Sequence, residues 1–283
     1  MTAAGRHILA AAALVWGLVA VMACSAVAGK RLEIAAVYRS LGYRDVNEPR
    51  CSNPSAGILP EHGGWTRNWS ETRAYVALSW RLADTRHVVF APGFHLGTSV
   101  GRFEAKNVGI GFYEAWETHP ALLWGPSVRL ILRREPGYGA FLLARYELFI
   151  ANAPEAREDV ASSSGTGTPP SQRDAAFSWH SHEATLALGY DWGKVAVAAG
   201  AALTAFRLDK RLTHHIDPSG ATGTALAAIL ALNARPGQYG YEPQSLVAPY
   251  LAVTFRPLSR LRLAAELRPA AQTDCALSLA FTF

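Results

Sequence analysis

Apolar and polar positions alternate with a period of two along most of the chain, the pattern of strands with one greasy and one polar face. In 71–83, Ala74, Val76, Leu78, Trp80 and Leu82 alternate with Arg73, Tyr75, Ala77, Ser79 and Arg81. In 260–269, Leu261, Leu263, Ala265 and Leu267 alternate with Arg262, Ala264, Glu266 and Arg268. The chain ends the same way: Leu277, Leu279, Phe281 and Phe283 share one face, and Ala276, Ser278, Ala280 and Thr282 the other. The pattern predicts ten strands, near 31–44, 71–83, 87–102, 121–134, 138–150, 176–191, 194–209, 245–256, 260–269 and 274–283. Short links at 83–86, 135–137, 191–193 and 257–259 carry Gly, Pro, Asp or Ser, the residues of tight turns. Long links fall at 45–70, 103–120, 151–175 and 210–244, with a brief one at 270–273. Eight or twelve strands stay open as counts, because 103–120 has room for a further hairpin around Val108-Gly-Ile-Gly-Phe112.

Strands this long with an arginine-bearing face have two possible homes. In a soluble sandwich the polar face meets water in short strands. In a bilayer, charge is costly against lipid, so the arginine face turns inward and the sheet closes to remove its edges. The alternation of long and short links fits the second home. With the N-terminus in the periplasm, every long link falls outside and every short one inside, as in bacterial barrels with an even strand count. Beyond residue 28 no apolar run reaches the roughly 18–20 residues of a spanning helix. The predicted fold is an all-β, closed, antiparallel transmembrane β-barrel.

The N-terminus points to the same compartment. Arg6 and His7 precede an apolar run from Ile8 to Ala23, and Ala26-Val27-Ala28 offers small residues for cleavage. This is the layout of a secretory signal peptide over 1–28, leaving 29–283 as the barrel. Val21-Met22-Ala23-Cys24 gives a rival reading, since it resembles a lipoprotein box with Cys24 acylated. At the other end, the alternating strand that stops on Phe283 resembles the closing strand of bacterial outer-membrane β-barrels. That resemblance implies the outer membrane as location. It also implies outer-membrane lipid and the barrel-assembly machinery as partners, the latter through the C-terminal strand.

Strand parity assigns an interior set: Glu33, Arg39, Arg73, Arg81, His95, Arg129, Arg133, Arg145, Glu147, Glu183, Arg262, Glu266 and Arg268. A ten-stranded barrel is narrow, and buried charges must pair, so these residues predict an Arg/Glu network that largely fills the lumen. Gly93, Gly97 and Gly101 on one strand, and Ala196, Ala198, Gly200 and Ala202 on another, leave space opposite the arginines for a thin anion-preferring path. The formal net charge of +5 is spread over alternating strand positions, which does not make a nucleic-acid surface. Cys51 and Cys275 fall at the same outer rim of the closing seam, and an oxidising envelope permits a Cys51–Cys275 disulfide.

Three histidine groups invite chemistry. His180-Ser181-His182-Glu183 holds the residue types of a triad, but neighbours on a strand point to opposite faces. It also lacks the His-x-Ser spacing that outer-membrane acyl hydrolases carry. His214-His215-Ile216-Asp217 resembles the Asp/His couple of omptin-type proteases in reverse order, without a matching acidic pair, and is a weak metal set. His95 reads as an interior hydrogen-bonding residue. No phosphate loop, nucleotide fingerprint or zinc spacing is present, so no cofactor is expected. Of the loops, 151–175 carries the low-complexity tract Ser162–Pro170. Loop 210–244 carries a predicted apolar helix near 224–233, a candidate surface for an envelope partner. The functional expectation is a small barrel with a structural, binding or narrow-pore role. The alternatives are an envelope enzyme (lipid hydrolase or protease) acting at the extracellular rim, or a subunit of an envelope complex.

Overall fold

The computed structural model describes residues 32–43, 47–51, 65–107, 112–160, 172–215, 218–219, 221–234, 237–242, 246–269 and 273–283. The signal segment 1–28, Asp217 and the tract Ser162–Pro170 lie outside the described residues. In chain order the strands are β1 (Leu32–Tyr43), β2 (Asn47–Cys51), β3 (Trp65–Trp80), β4 (Ala83–Asp84), β5 (Val88–Asn107), β6 (Phe112–Thr118) and β7 (Ala121–Arg133). They continue as β8 (Gly139–Val160), β9 (Gln172–Asp191), β10 (Val195–His215), helix α1 (Gly223–Ala234), β11 (Gly237–Glu242), β12 (Leu246–Leu258), β13 (Leu261–Pro269) and β14 (Thr273–Thr282).

Ten strands close a ring. The antiparallel pairings run β1–β3–β5–β7–β8–β9–β10–β12–β13–β14 and return from β14 to β1. The seam pairs Glu33 with Thr282 through to Ser40 with Cys275. The amide of Phe283 then donates to the Leu32 carbonyl at 3.0 Å. The predicted count of ten is that of the ring, and no strand of it keeps a free edge in the membrane.

The predicted boundaries of the long links are corrected. All four carry strand: β2 and the start of β3 fall within 45–70, and 103–120, 151–175 and 210–244 are partly continuous sheet. β6 continues the stave of β7 and pairs with both β5 and β8, so 103–120 is strand for most of its length rather than loop. β8, β9 and β10 run on to Val160, back from Gln172 and up to His215. β11 continues the stave of β12 beside β10, and β2 pairs with β11 above the short β13–β14 hairpin. The result is a tower outside the membrane, tall on the β5–β10 side and low at β13 and β14.

The two tiers have opposite polarity. In the lower tier Leu96, Leu122, Leu186, Leu188, Leu251, Leu263, Leu277 and Leu279 are exposed on the outer face. Tyr138, Tyr190 and Trp192 cluster at the short-turn end, with rings 5.8 and 4.9 Å apart. On β9 the outward residues change from Leu186 to the histidines His182 and His180. From Tyr190 to His182, at ~3.3 Å per residue and a tilt of ~40°, the apolar band is roughly 20 Å tall, near the ~25 Å of outer-membrane barrels. Above it the outer face turns polar, with Arg102, Glu104 and Lys106 on β5 and Arg207 and Asp209 on β10. The inner face turns apolar there, with Phe103, Phe177, Phe206 and Leu208 buried.

The Cys51–Cys275 disulfide is also corrected. Cys275 is a free thiol, exposed on the same outward face as Leu277 and Leu279. Its backbone partners are Ser40 and Leu267, whereas Cys51 stands opposite Tyr239 on β11. Both residues sit at the outer end, but β2 lies across the hairpin from the seam rather than on it. Full-length protein is therefore expected to migrate identically on reducing and non-reducing gels. A faster-moving oxidised band would contradict this geometry.

Candidate functional site

Apart from Arg133, which lies at the rim, the residues predicted to be interior point toward the lumen, and the charged ones fall into layers. The central layer is built on Glu183, which β9 projects across the barrel from the side opposite β1. Arg39 Nη1 donates to Glu183 Oε2 at 2.5 Å, Arg268 Nη1 to the same oxygen at 2.8 Å, and Arg73 Nη1 to Oε1 at 2.7 Å. Arg73 also forks onto Glu71 through Nε and Nη2 at 2.7 and 2.8 Å. Glu71 Oε1 further accepts from Ser99 Oγ at 2.7 Å and Trp179 Nε1 at 2.9 Å. Asp274 closes the layer on Arg39 and Arg268. Three guanidiniums face three carboxylates, so the layer is neutral. The Arg73 guanidinium also lies 4.2 Å from the centre of the Phe149 ring, a cation–π contact.

Outward of this layer the lumen is aromatic. Trp69 meets Trp179 at 5.1 Å and Phe177 at 5.9 Å between ring centres, and Tyr43 stacks on Phe206 at 4.5 Å. The space that Gly101 leaves is not a path, because a Cβ there would stand 2.0 Å from Trp69 Cη2. Glycine is needed for the indole to lie flat on the strand. Higher still, Lys210 is buried with its Nζ 2.7 Å from Glu114 Oε1 and 4.9 Å from the Phe103 ring centre. A lysine so deep is held by its carboxylate and the surrounding π-faces.

Inward of the central layer the lumen opens. A cavity of about 180 Å³ lies at the short-turn end, lined by small residues from β10, β12, β13 and β14 and by Arg129, Arg145, Glu147, Arg262, Glu266 and Glu33. Arg145 grips Glu266 with two bonds of 2.7 and 2.6 Å and lies 3.4 Å from Glu147. At the mouth, Glu33 accepts from Arg262 at 2.6 Å, Arg129 at 3.0 Å and Arg81 at 3.2 Å. Arg133 belongs to the rim instead, bound to Asp84 at 2.7 Å and the Thr85 carbonyl at 2.9 Å.

The catalytic candidates do not assemble. Ser181 faces inward, accepting from Arg73 Nη2 at 2.9 Å, while His182 faces outward, 2.7 Å from the Tyr146 hydroxyl. Serine and histidine thus stand on opposite sides of the barrel wall. His215 pairs with Asp174 at 2.7 Å on the exposed tower, a couple that sequence spacing did not suggest. His95 is interior as expected, stacked on Phe149 at 4.1 Å, but its ring nitrogens have no hydrogen-bond partner among the described residues. Sequence reasoning missed Glu71, Asp274, Trp69, Trp179 and the Lys210–Glu114 pair. Parity would have placed Glu71 beside Arg73 and Asp274 beside Ala276. Trp69, Glu114 and Lys210 lie outside the predicted strands, whereas Trp179 lies within 176–191 at an inward position.

The closed ring, the apolar belt and the paired charged interior define a transmembrane β-barrel of the bacterial outer-membrane type. No family model and no curated protein sequence matches the chain. Among solved structures it is similar to the outer membrane protease OmpT of Escherichia coli, at 10% identity and a TM-score of 0.49, covering 90% of this chain and 98% of that one. It is similar to the toluene transporter TodX of Pseudomonas putida, at 10% identity and a TM-score of 0.37, covering 89% and 88%. The transport unit of the autotransporter AIDA-I from Escherichia coli gives 7% identity and a TM-score of 0.38, covering 91% and 92%.

The central layer makes a stability prediction. Glu183→Ala leaves three buried guanidiniums short of an acceptor and is expected to destabilise the barrel by about 3–5 kcal/mol. Glu147→Ala, at a less buried site with one long ion pair, is expected to cost far less. The check is the denaturant midpoint at which the heat-modifiable folded band is lost. Equal midpoints for the two variants would contradict the assignment.

Proposed function

We propose that the protein is a non-conducting outer-membrane barrel with a structural or binding role exercised at its extracellular tower. The observation that carries this reading is the stack across the lumen: Trp69, Trp179, Arg73, Phe149 and Phe177 each keep less than 2% of their surface accessible. A thin pore would need a file of water past these groups. Parting them would break the buried bonds of Arg73 to Glu71 and Glu183. The wild-type protein is expected to give no conductance steps in planar bilayers, whereas Trp69→Ala/Trp179→Ala introduces them. Steady steps from the wild type would overturn the reading.

The binding part of the reading is supported by α1. Its sequence Gly-Thr-Ala-Leu-Ala-Ala-Ile-Leu-Ala-Leu-Asn-Ala carries no charge, and Leu230 is half exposed on the tower. An uncharged, alanine- and leucine-rich helix in water is favoured only if something covers it. Deleting 224–233 is expected to leave the folded band intact and to abolish co-migration with any envelope protein on native gels. Co-migration that survives the deletion would contradict a role for the helix.

A further inference from the structure

The lumen is asymmetric, and its lower half takes no part in the tower. The cavity of about 180 Å³ lies beneath the central ion-pair layer. Accessibility rises toward the short-turn end, from a fully buried Arg73 to side chains 18% exposed at Arg129 and 26% exposed at Arg262 and Arg81. It is therefore a blind chamber whose mouth faces the periplasm.

Charge at that mouth is unbalanced. One carboxylate, Glu33, answers three guanidiniums, and two of them, Arg129 Nη1 and Arg262 Nη2, share its single oxygen Oε1. Arg81 has Asp84 as a second partner at 3.1 Å, but Arg129 and Arg262 show no other acid among the described residues. The Nε atoms of both are buried without an acceptor. Buried guanidinium donors normally find acceptors, so this mouth is short of them. The deeper wall has the opposite bias, with Arg145 shared by Glu266 and Glu147. Between these ends the lining is apolar and cut back to small side chains, with Ala198, Ala252 and Ala264 facing Ile131, Phe141 and Leu143.

We propose that this chamber is a binding site for a small organic monoanion entering from the periplasm. Its carboxylate sits at Arg129 and Arg262, away from Glu147, and its apolar body lies along the alanine wall. Such a ligand supplies the missing acceptors, adds the negative charge that the mouth lacks and fills space that no side chain occupies. A hydrophilic anion satisfies the arginines but not the wall, and a neutral isostere satisfies the wall but not the arginines.

The test is calorimetric titration of the full-length barrel, in a detergent with an uncharged headgroup, with benzoate, benzamide and inorganic phosphate. Saturable one-to-one binding of benzoate is expected, with benzamide and phosphate each at least about tenfold weaker. Arg129→Gln is expected to weaken benzoate about tenfold or more. Ala198→Leu, which keeps every charge and fills the chamber, is expected to abolish binding, and the folded band on gels confirms that each variant retains the barrel. Absence of benzoate binding overturns the proposal. So does equal binding of benzamide or phosphate, or wild-type affinity in the folded Ala198→Leu protein. Conductance is untouched by these outcomes, so failure here is separable from failure of the sealed-lumen reading.

Discussion

One carboxylate holds the two halves of this barrel together. Glu183 reaches from β9 to arginines on β1, β3 and β13, so the strands farthest apart around the ring are tied through the lumen rather than only along it. In a narrow barrel the lumen cannot be left wet and wide, nor filled with unpaired charge. The neutral three-by-three arrangement meets both demands. It also fixes where the lumen changes character, because the aromatic groups stand on one side of it and the chamber on the other.

That change reverses at the wall as well. Below the layer the barrel wears its apolar residues outside and its charges inside; above it, the tower is built like a soluble domain with an apolar core. The strands do not break at the transition. On β10 the same inward parity carries Ala196, Ala198 and Ala202 below and Phe206, Leu208 and Leu212 above. A single pleat therefore serves two solvents, and only the chemistry of each face is exchanged. The buried Lys210–Glu114 pair marks the depth of the upper core.

The ring was legible in the sequence because lipid and lumen impose strict alternation, and because turns and long links differ in composition. Ten strands, their inward faces and the charged interior all follow from that alternation. The upper parts of β5 and β8 were not legible, because the predicted strands end at Arg102 and Ile150, where the outward face ceases to be apolar. Beyond those points the period of two continues, as in Phe103 and Ala105 on β5 and Ala151 and Ala153 on β8, but with inside and outside exchanged. The pairing of the charges was not legible for a different reason. Parity gives the face of a side chain but not its height against a strand halfway round the ring, so Glu183 meeting Arg39, Arg73 and Arg268 needed the register. The cysteine pairing failed likewise: both cysteines were placed at the right end, but β2 crosses to β11 instead of remaining beside the seam.

The crossing of β2 has a mechanical consequence. In the membrane the cylinder is shut by the β14–β1 hydrogen bonds, while outside it a five-residue strand, β2, pairs with β11. These are two separate clasps on one chain, joined only by the few residues after Tyr43. Force applied to the tower at β2 peels a short strand without unzipping a single pair of the transmembrane seam. The outer clasp is thus the weaker of the two, three registered pairs against the eight of the seam among the described residues.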